Sequence, residues 1–521
     1  MRPAQLLAAS VLAPLLLAAC AARPLPPPGT AVSPPSQTAE PAAAEPPPPV
    51  DFSAIPPAPA ACDAFVAHAP GTCAAPDEGR TALAAALTND DALARDAALA
   101  ALGSCPAFPS GVIAALRAEL APPECGDAIL RGGEASLPDG GLRDAITGLA
   151  IAAQLDRLVD RAPELEPPFD KPRFETFLRE TLARWVSGQA KAIQQLSERG
   201  AALAGYGKGI VAIHAGLADM RFVAAARAVP LPTDLAGDEE LKDAYYGSLD
   251  QALEPRKARG RDAALVGLRL MAEVGSLSEP RIQRARALLS EMYAGRRLDA
   301  LDRLRRPDPT GAPSVSTDAT LAARLPTFYL ARLVPKLDAT DPGVLRALAD
   351  RGLPAPLRAQ LDATSLRPEA RLLYGLALVR SGQCYWRAAD FQQAARLLAP
   401  ISNGGAQSAA ARLLAAVSET LANGATDAVE MMSRGPFPGA RPDVSALDRL
   451  ARGRGELAAR AGLDAALLLG LSPPEQNARA FFQDLERRYR DAASRAEQDA
   501  TRRDALAQAA AAADTAAAIP E

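Results

Sequence analysis

The chain of 521 residues carries 57 Lys and Arg against 61 Asp and Glu, a formal net charge of −4, with 2 His, 6 Cys and 47 Pro. Hydrophobic residues make up 49% but aromatics only 4%. An interior of Ala, Leu and Val is therefore expected, which suits close helix packing better than sheets. The negative balance speaks against nucleic-acid binding, and two isolated histidines speak against most metal and histidine-base chemistry.

At roughly 100–200 residues per domain, the length accommodates several domains or one long repeat array. Only six residues are Lys, so arginine is the default basic residue here and its abundance alone says little about phosphate recognition.

In chain order, residues 1–19 form the first element, a signal peptide: Arg2 supplies the positive start and an uncharged run from Leu6 to Ala19 follows. The run is shorter than the ~20 apolar residues of a membrane span. It ends at Leu17-Ala18-Ala19-Cys20, which resembles the lipobox of bacterial lipoproteins. The resemblance implies cleavage before Cys20, lipidation of its thiol and a stable anchor of several acyl chains. Ala21 in the following position implies an outer-membrane destination, facing the periplasm or the cell surface.

Residues 20–60 then form the lipidated start and a Pro-rich tether, with 14 of the 47 prolines between 24 and 60. This composition predicts a disordered, extended spacer that reaches on the order of 100 Å at about 3.1 Å per residue.

Residues 61–165 are expected to form a small helical domain containing Cys62, Cys73, Cys105 and Cys125. Export permits disulfides. Sequence leaves three pairings open; the expectation taken is Cys62–Cys73 and Cys105–Cys125, each closing a short segment. A metal site at Cys62, His68 and Cys73 lacks a fourth ligand and the usual spacing, and Cys384 is expected to be a buried small hydrophobe. Helices are predicted at 92–103, 112–120 and 141–159, the first two resembling a HEAT-like unit.

Prolines 163, 167, 168 and 172 mark a boundary. The helical domain expected over 170–305 carries an apolar stripe through Phe174, Phe177, Leu178, Leu182, Trp185 and Val186, and helices near 209–227, 239–252, 260–274 and 280–293. An exposed linker is predicted at 306–318.

A third helical domain is expected over 319–515. Within it, residues 372–400 resemble one tetratricopeptide unit, with Gly375 at the close-packing position of the first helix, Gly382 at the turn, Phe391 and Ala394 at the packing positions of the second helix and Pro400 one residue late. Arg387 stands where that motif has Ala. A second helix–turn–helix follows at 408–432, its turn glycine 42 residues beyond Gly382 instead of 34. The fold expected is thus an all-α solenoid of TPR/HEAT-like hairpins. Such arrays present a concave binding groove, here expected to involve Tyr374, Trp386, Arg387 and Phe391. Residues 475–514 read as one long helix ending in a solvated tail.

Catalytic motifs fail one by one. The segment ALAGYGKG at 202–209 approaches a phosphate loop but has Gly209 where Ser or Thr would hold Mg²⁺. The basic run 256–261 reads as a solvated helix start, and His214 as a packed histidine. No GxSxG or HExxH occurs, and the Glu-Ser signature of lytic transglycosylases is missing. The expectation is a non-catalytic, lipid-anchored periplasmic scaffold for envelope proteins in secretion, export or motility machinery. It has no cofactor, small-molecule substrate or nucleic acid. The contrasting expectation is an enzyme acting on cell-wall polymer, resembling a helical lytic transglycosylase.

Overall fold

The computed structural model describes residues 55–520 except 74, 132–139, 160–161, 294, 308–315, 363–364, 406, 425–426 and 439–440. The expected signal peptide, Cys20, most of the tether and most of the 306–318 linker lie outside the described residues. Among the described residues every element is helical and none is a strand.

The helices of seven residues or more begin with α1 (Pro76–Leu87), α2 (Ala92–Ala100), α3 (Val112–Leu120) and α4 (Gly141–Arg157). The middle of the chain supplies α5 (Ala183–Ala201), α6 (Gly205–Arg227), α7 (Glu239–Val274) and α8 (Pro280–Met292). Next come α9 (Thr317–Arg324), α10 (Thr327–Leu333), α11 (Pro342–Arg351), α12 (Pro368–Tyr385), α13 (Ala388–Leu398) and α14 (Ser408–Gly424). The last are α15 (Ala428–Arg434), α16 (Ser445–Ala451), α17 (Gly455–Gly470), α18 (Ala478–Arg495) and α19 (Asp499–Ala518). Several starts are fixed by acceptor side chains on exposed backbone N–H groups: Asp91 takes the Ala94 amide at 2.7 Å and Asp341 the Val344 amide at 3.0 Å.

Helix α6 is apolar on nearly every side, and α4, α5, α7 and α8 pack around it. It is long and apolar enough to cross a membrane, yet most of its apolar stretch is buried among these neighbours, the pattern of a core helix.

Glycines set its closest approach. Gly209 and Gly216 on α6 face Gly267 and Gly260 on α7, each pair seven residues apart. A Cβ at Gly216 would lie 2.6 Å from the Gly260 carbonyl oxygen, so the two backbones touch without side chains between them.

The expected pair of helices at 239–252 and 260–274 is one helix, α7, running through Pro255. Its buried face explains the continuity. Leu249, Leu253, Arg256, Gly260, Ala264, Gly267 and Met271 recur at steps of three and four on both sides of the proline. The gain from burying that stripe outweighs the missing proline hydrogen bond. The basic run at its centre turns inward: Arg256 and Arg259 both bind the buried Asp219, at 2.9 and 2.7 Å.

The three sequence blocks share one core. A single apolar cluster runs from Leu83 through Leu268, Tyr329, Trp386 and Leu468 to Ala512.

At the N-terminal end the disulfides are Cys62–Cys125 and Cys73–Cys105, with Cα atoms 5.3 and 4.9 Å apart. This corrects the expected pairing of sequence neighbours. Packing of the intervening helices brings distant cysteines together. Cys62 joins Phe65, Ala121, Cys125 and Ala128 in a small core of their own. His68 is spent on Asp96 at 2.8 Å, which also holds Arg117 between α2 and α3.

The C-terminal stretch is also corrected. It breaks at Ala496–Gln498 into α18 and α19, which pack as a hairpin. Thr501, Ala505, Ala509, Ala512 and Ala516 of α19 are buried, so the Ala-rich segment is an integral packing face.

Candidate functional site

The residues expected to line a partner groove are core. Trp386 and Phe391 are fully buried and Tyr374 is 2% exposed. Trp386 ends α12 in the left-handed region (φ 58°), and its indole N–H donates to the Leu298 carbonyl at 3.0 Å. The segment around 298 and Phe437 from further along the chain cover this side, so a partner has no access there. Only Arg387 keeps partial exposure; it donates to the Ala272 carbonyl at 3.3 Å and lies 3.6 Å from Asp390. Gly375 and Gly382 admit Leu398 and Phe391 to within 2.6 and 2.7 Å of where a Cβ would stand. The small residues therefore serve hairpin packing.

The glycines of 202–209 serve packing too. A Cβ on Gly207 would meet the Asp144 carbonyl oxygen of α4 at 2.0 Å, leaving no space for a phosphate.

A cleft of 550 Å³ opens where the three sequence blocks meet. Its charged walls are Arg95 of α2, Glu119 of α3, Arg281 and Arg284 of α8, Arg324 at the end of α9 and Arg351 at the end of α11. Glu279 lies at the floor, immediately before Pro280 opens α8. Two glycines bring these pieces together. Gly275 (φ 84°) and Gly352 (φ 113°) cross so closely that a Cβ on Gly352 would meet the Gly275 carbonyl oxygen. The Leu277 amide then donates to the Arg351 carbonyl at 2.9 Å, setting Glu279 and Arg351 side by side.

Glu119 and Arg281 form an ion pair with both side chains more than nine-tenths buried. Glu119 Oε2 and Arg281 Nη1 have no protein partner, and neither has Glu279 Oε2. Burial, reinforced by the Glu119 charge, pushes the Glu279 carboxyl above the usual carboxylate range. Burial also opposes the charge on Arg281, but Glu119, Tyr206 and Glu279 around it keep it firmly protonated. Behind the floor, Tyr206 stacks on Phe328 with ring centroids 4.2 Å apart and meets Tyr329 edge-on.

His214 of α6 also lines the cleft. Its Nδ1 lies 3.0 Å from buried Asp156, which Arg221 and Arg284 flank at 3.3 and 3.7 Å. Burial pushes the imidazole down against the opposing pull of Asp156, while His214 first, and then Arg221 and Arg284, hold the Asp156 carboxyl well below the usual range against its burial.

A second cavity of 770 Å³ shares Ser278 and Arg351 with the first. Two of its five arginines are paired with carboxylates, Arg380 with Asp350 at 3.0 Å and Arg305 with Asp504 at 2.5 Å. Cys384 faces a smaller neighbouring cavity; burial pushes its thiol up to about 11, which makes it a poor nucleophile.

Among the described residues no cluster of three or more His, Cys, Asp or Glu is arranged to hold a metal ion. The cleft escaped sequence reading because its charged residues come from five helices spread between Arg95 and Arg351, with no local spacing to betray them. Compared with protein-family models, curated proteins and solved structures, the chain matches none.

Proposed function

We propose that the chain is a lipid-anchored periplasmic scaffold, a TPR/HEAT-like solenoid of helical hairpins that binds protein partners in a cell-envelope assembly. The observation that carries this reading is the order of features along the chain. A lipobox ending at Cys20 and a Pro-rich tether precede a helical module clamped by two disulfides, bonds that persist in oxidising compartments.

Arg157 supports the same arrangement. Buried and bidentate on Asp127 at 2.7 and 2.8 Å, it also donates to the Pro56 carbonyl at 2.9 Å, fixing the point where the tether meets the helices. Sequential packing of α12, α13 and α14 supports the hairpin reading.

Replacing Cys20 with Ala is expected to move the protein from the membrane to the soluble envelope fraction. Unchanged membrane retention contradicts the anchor.

One observation favours the contrasting reading, an enzyme acting on cell-wall polymer: Glu279 is a buried carboxyl held towards its protonated form in a cleft, as a general acid requires. Purified protein that cleaves isolated cell wall, with Glu279→Gln inactive but folded, establishes that reading. Intact cell wall after prolonged incubation supports the scaffold.

A further inference from the structure

We infer that the arginine-rimmed cleft binds a small amphiphilic organic anion, an apolar body bearing a carboxylate or phosphate group. The inference stands independently of the scaffold reading.

Charge imbalance is the first argument. Five guanidinium groups line the cleft against two carboxyl groups. The rim arginines are poorly compensated. Arg95 donates to the Asn89 carbonyl and Arg351 to the Leu325 carbonyl at 3.2 Å. Arg284 lies 3.7 Å from Asp156, which Arg221 shares, and Arg324 is 3.8 Å from the largely exposed Asp90. The adjoining cavity is equally rich in arginine, yet there each carboxylate named above sits within 3.0 Å of its guanidinium. The adjoining cavity sets three carboxylates, Asp302, Asp350 and Asp504, against its five arginines, where the cleft has two.

The second argument is the unspent donor at the floor. Arg281 is 8% exposed in its side chain, pairs with Glu119 through one nitrogen, and leaves Nη1 without a partner. A buried guanidinium N–H without an acceptor is costly, and an oxyanion supplies one in the planar fork geometry that guanidinium prefers.

The third is the remaining wall. Leu87, Ala118, Leu149, Ala152 and Pro326 give it apolar surface, and 550 Å³ falls within the range of about 300–1,000 Å³ typical of small-ligand sites. A bare inorganic anion would leave that surface wet; an uncharged apolar molecule would leave the arginines unpaired.

The test is calorimetric titration of the full mature chain, carrying Cys20→Ala so that no lipid competes. The probes are hexanoate, hexyl phosphate, hexanol and inorganic phosphate. Single-site binding of hexanoate or hexyl phosphate is expected, with hexanol and inorganic phosphate at least about tenfold weaker. The tighter of the two anions identifies the head group. The double variant Arg284→Ala/Arg324→Ala removes two half-exposed rim side chains. It is expected to keep its melting temperature and weaken the preferred anion about tenfold or more. Arg306→Ala, in the adjoining cavity, is expected to leave affinity unchanged. Absence of binding by both anions overturns the inference. So does hexanol or inorganic phosphate binding as tightly as the preferred anion, or full affinity in the folded double variant.

Discussion

Two glycines in the α6–α7 region should respond to the same substitution with opposite signs. In an open helix, Gly→Ala stabilises by about 0.5–1 kcal/mol, because alanine loses less backbone entropy on folding. Gly247 on α7 meets that condition: a Cβ there would have nothing within 4 Å. Gly216 on α6 does not. Its Cβ would lie 2.6 Å from the Gly260 carbonyl oxygen, 2.7 Å from the Ala264 amide nitrogen and 2.8 Å from the Ala264 Cβ, against ordinary contact beginning at 3.4 Å. All three are backbone or Cβ atoms, so no side chain can swing aside and the helices must separate. Overpacking of this kind costs about 1–3 kcal/mol. Set against the propensity gain, the net expected for Gly216→Ala is a loss of about 1–2 kcal/mol. Urea denaturation followed by far-UV circular dichroism reads both variants, with similar slopes required for comparison. A rise in stability for both substitutions would refute the backbone-contact account of this seam.

Three further outcomes are expected. Non-reducing peptide mapping should recover Cys62–Cys125 and Cys73–Cys105; a Cys62–Cys73 peptide would contradict the packing of this end, and Cys62→Ser/Cys125→Ser should lower stability by about 2–4 kcal/mol. Trp386→Ala should cost about 3–5 kcal/mol in the same denaturation assay, whereas a groove-lining role predicts little change. Asp464 is fully buried, and burial pushes its carboxyl well above the usual range. Its unfolded counterpart ionises near pH ~4, so stability drains away as pH rises from there towards the folded value. Asp464→Asn should thus gain on the native protein between pH 4 and 7, as read from urea midpoints; a constant difference across that range would refute the assignment.

Local features of the fold were readable because local chemistry decides them. Asp91 before Ala92 fixes the start of α2 and the prolines after Ala121 the end of α3, while α2 ends at Ala100, short of the expected stop at Gly103. Gly375 announced the closeness of α12 and α13, whereas Gly382, expected at the turn, lies inside α12 against Phe391. What escaped depends on distant partners. The break between α18 and α19 follows from Ala505, Ala509 and Ala512 finding the common core, a face that no polar pattern marks. Trp386 looked available because the chain that covers it, at Leu298 and Phe437, comes from elsewhere in the sequence. The disulfide pairing reflects helix stacking that cysteine spacing does not encode. The cleft is the extreme case: Arg95, Glu119, Arg281, Arg324 and Arg351 share a wall only after three blocks have docked.

The proposed role is tested most directly in living cells. A photo-reactive amino acid placed at exposed Arg284 or Arg324 in the lipid-anchored protein, activated by light, is expected to yield covalent adducts with a small, reproducible set of envelope proteins. The same experiment at exposed Val66, away from the cleft, maps how far the partner surface extends. Reproducible adducts, together with purified protein that leaves isolated cell wall intact, are the predicted result. Cells that yield no adduct at any position, alongside purified protein that degrades cell wall, would contradict the scaffold account.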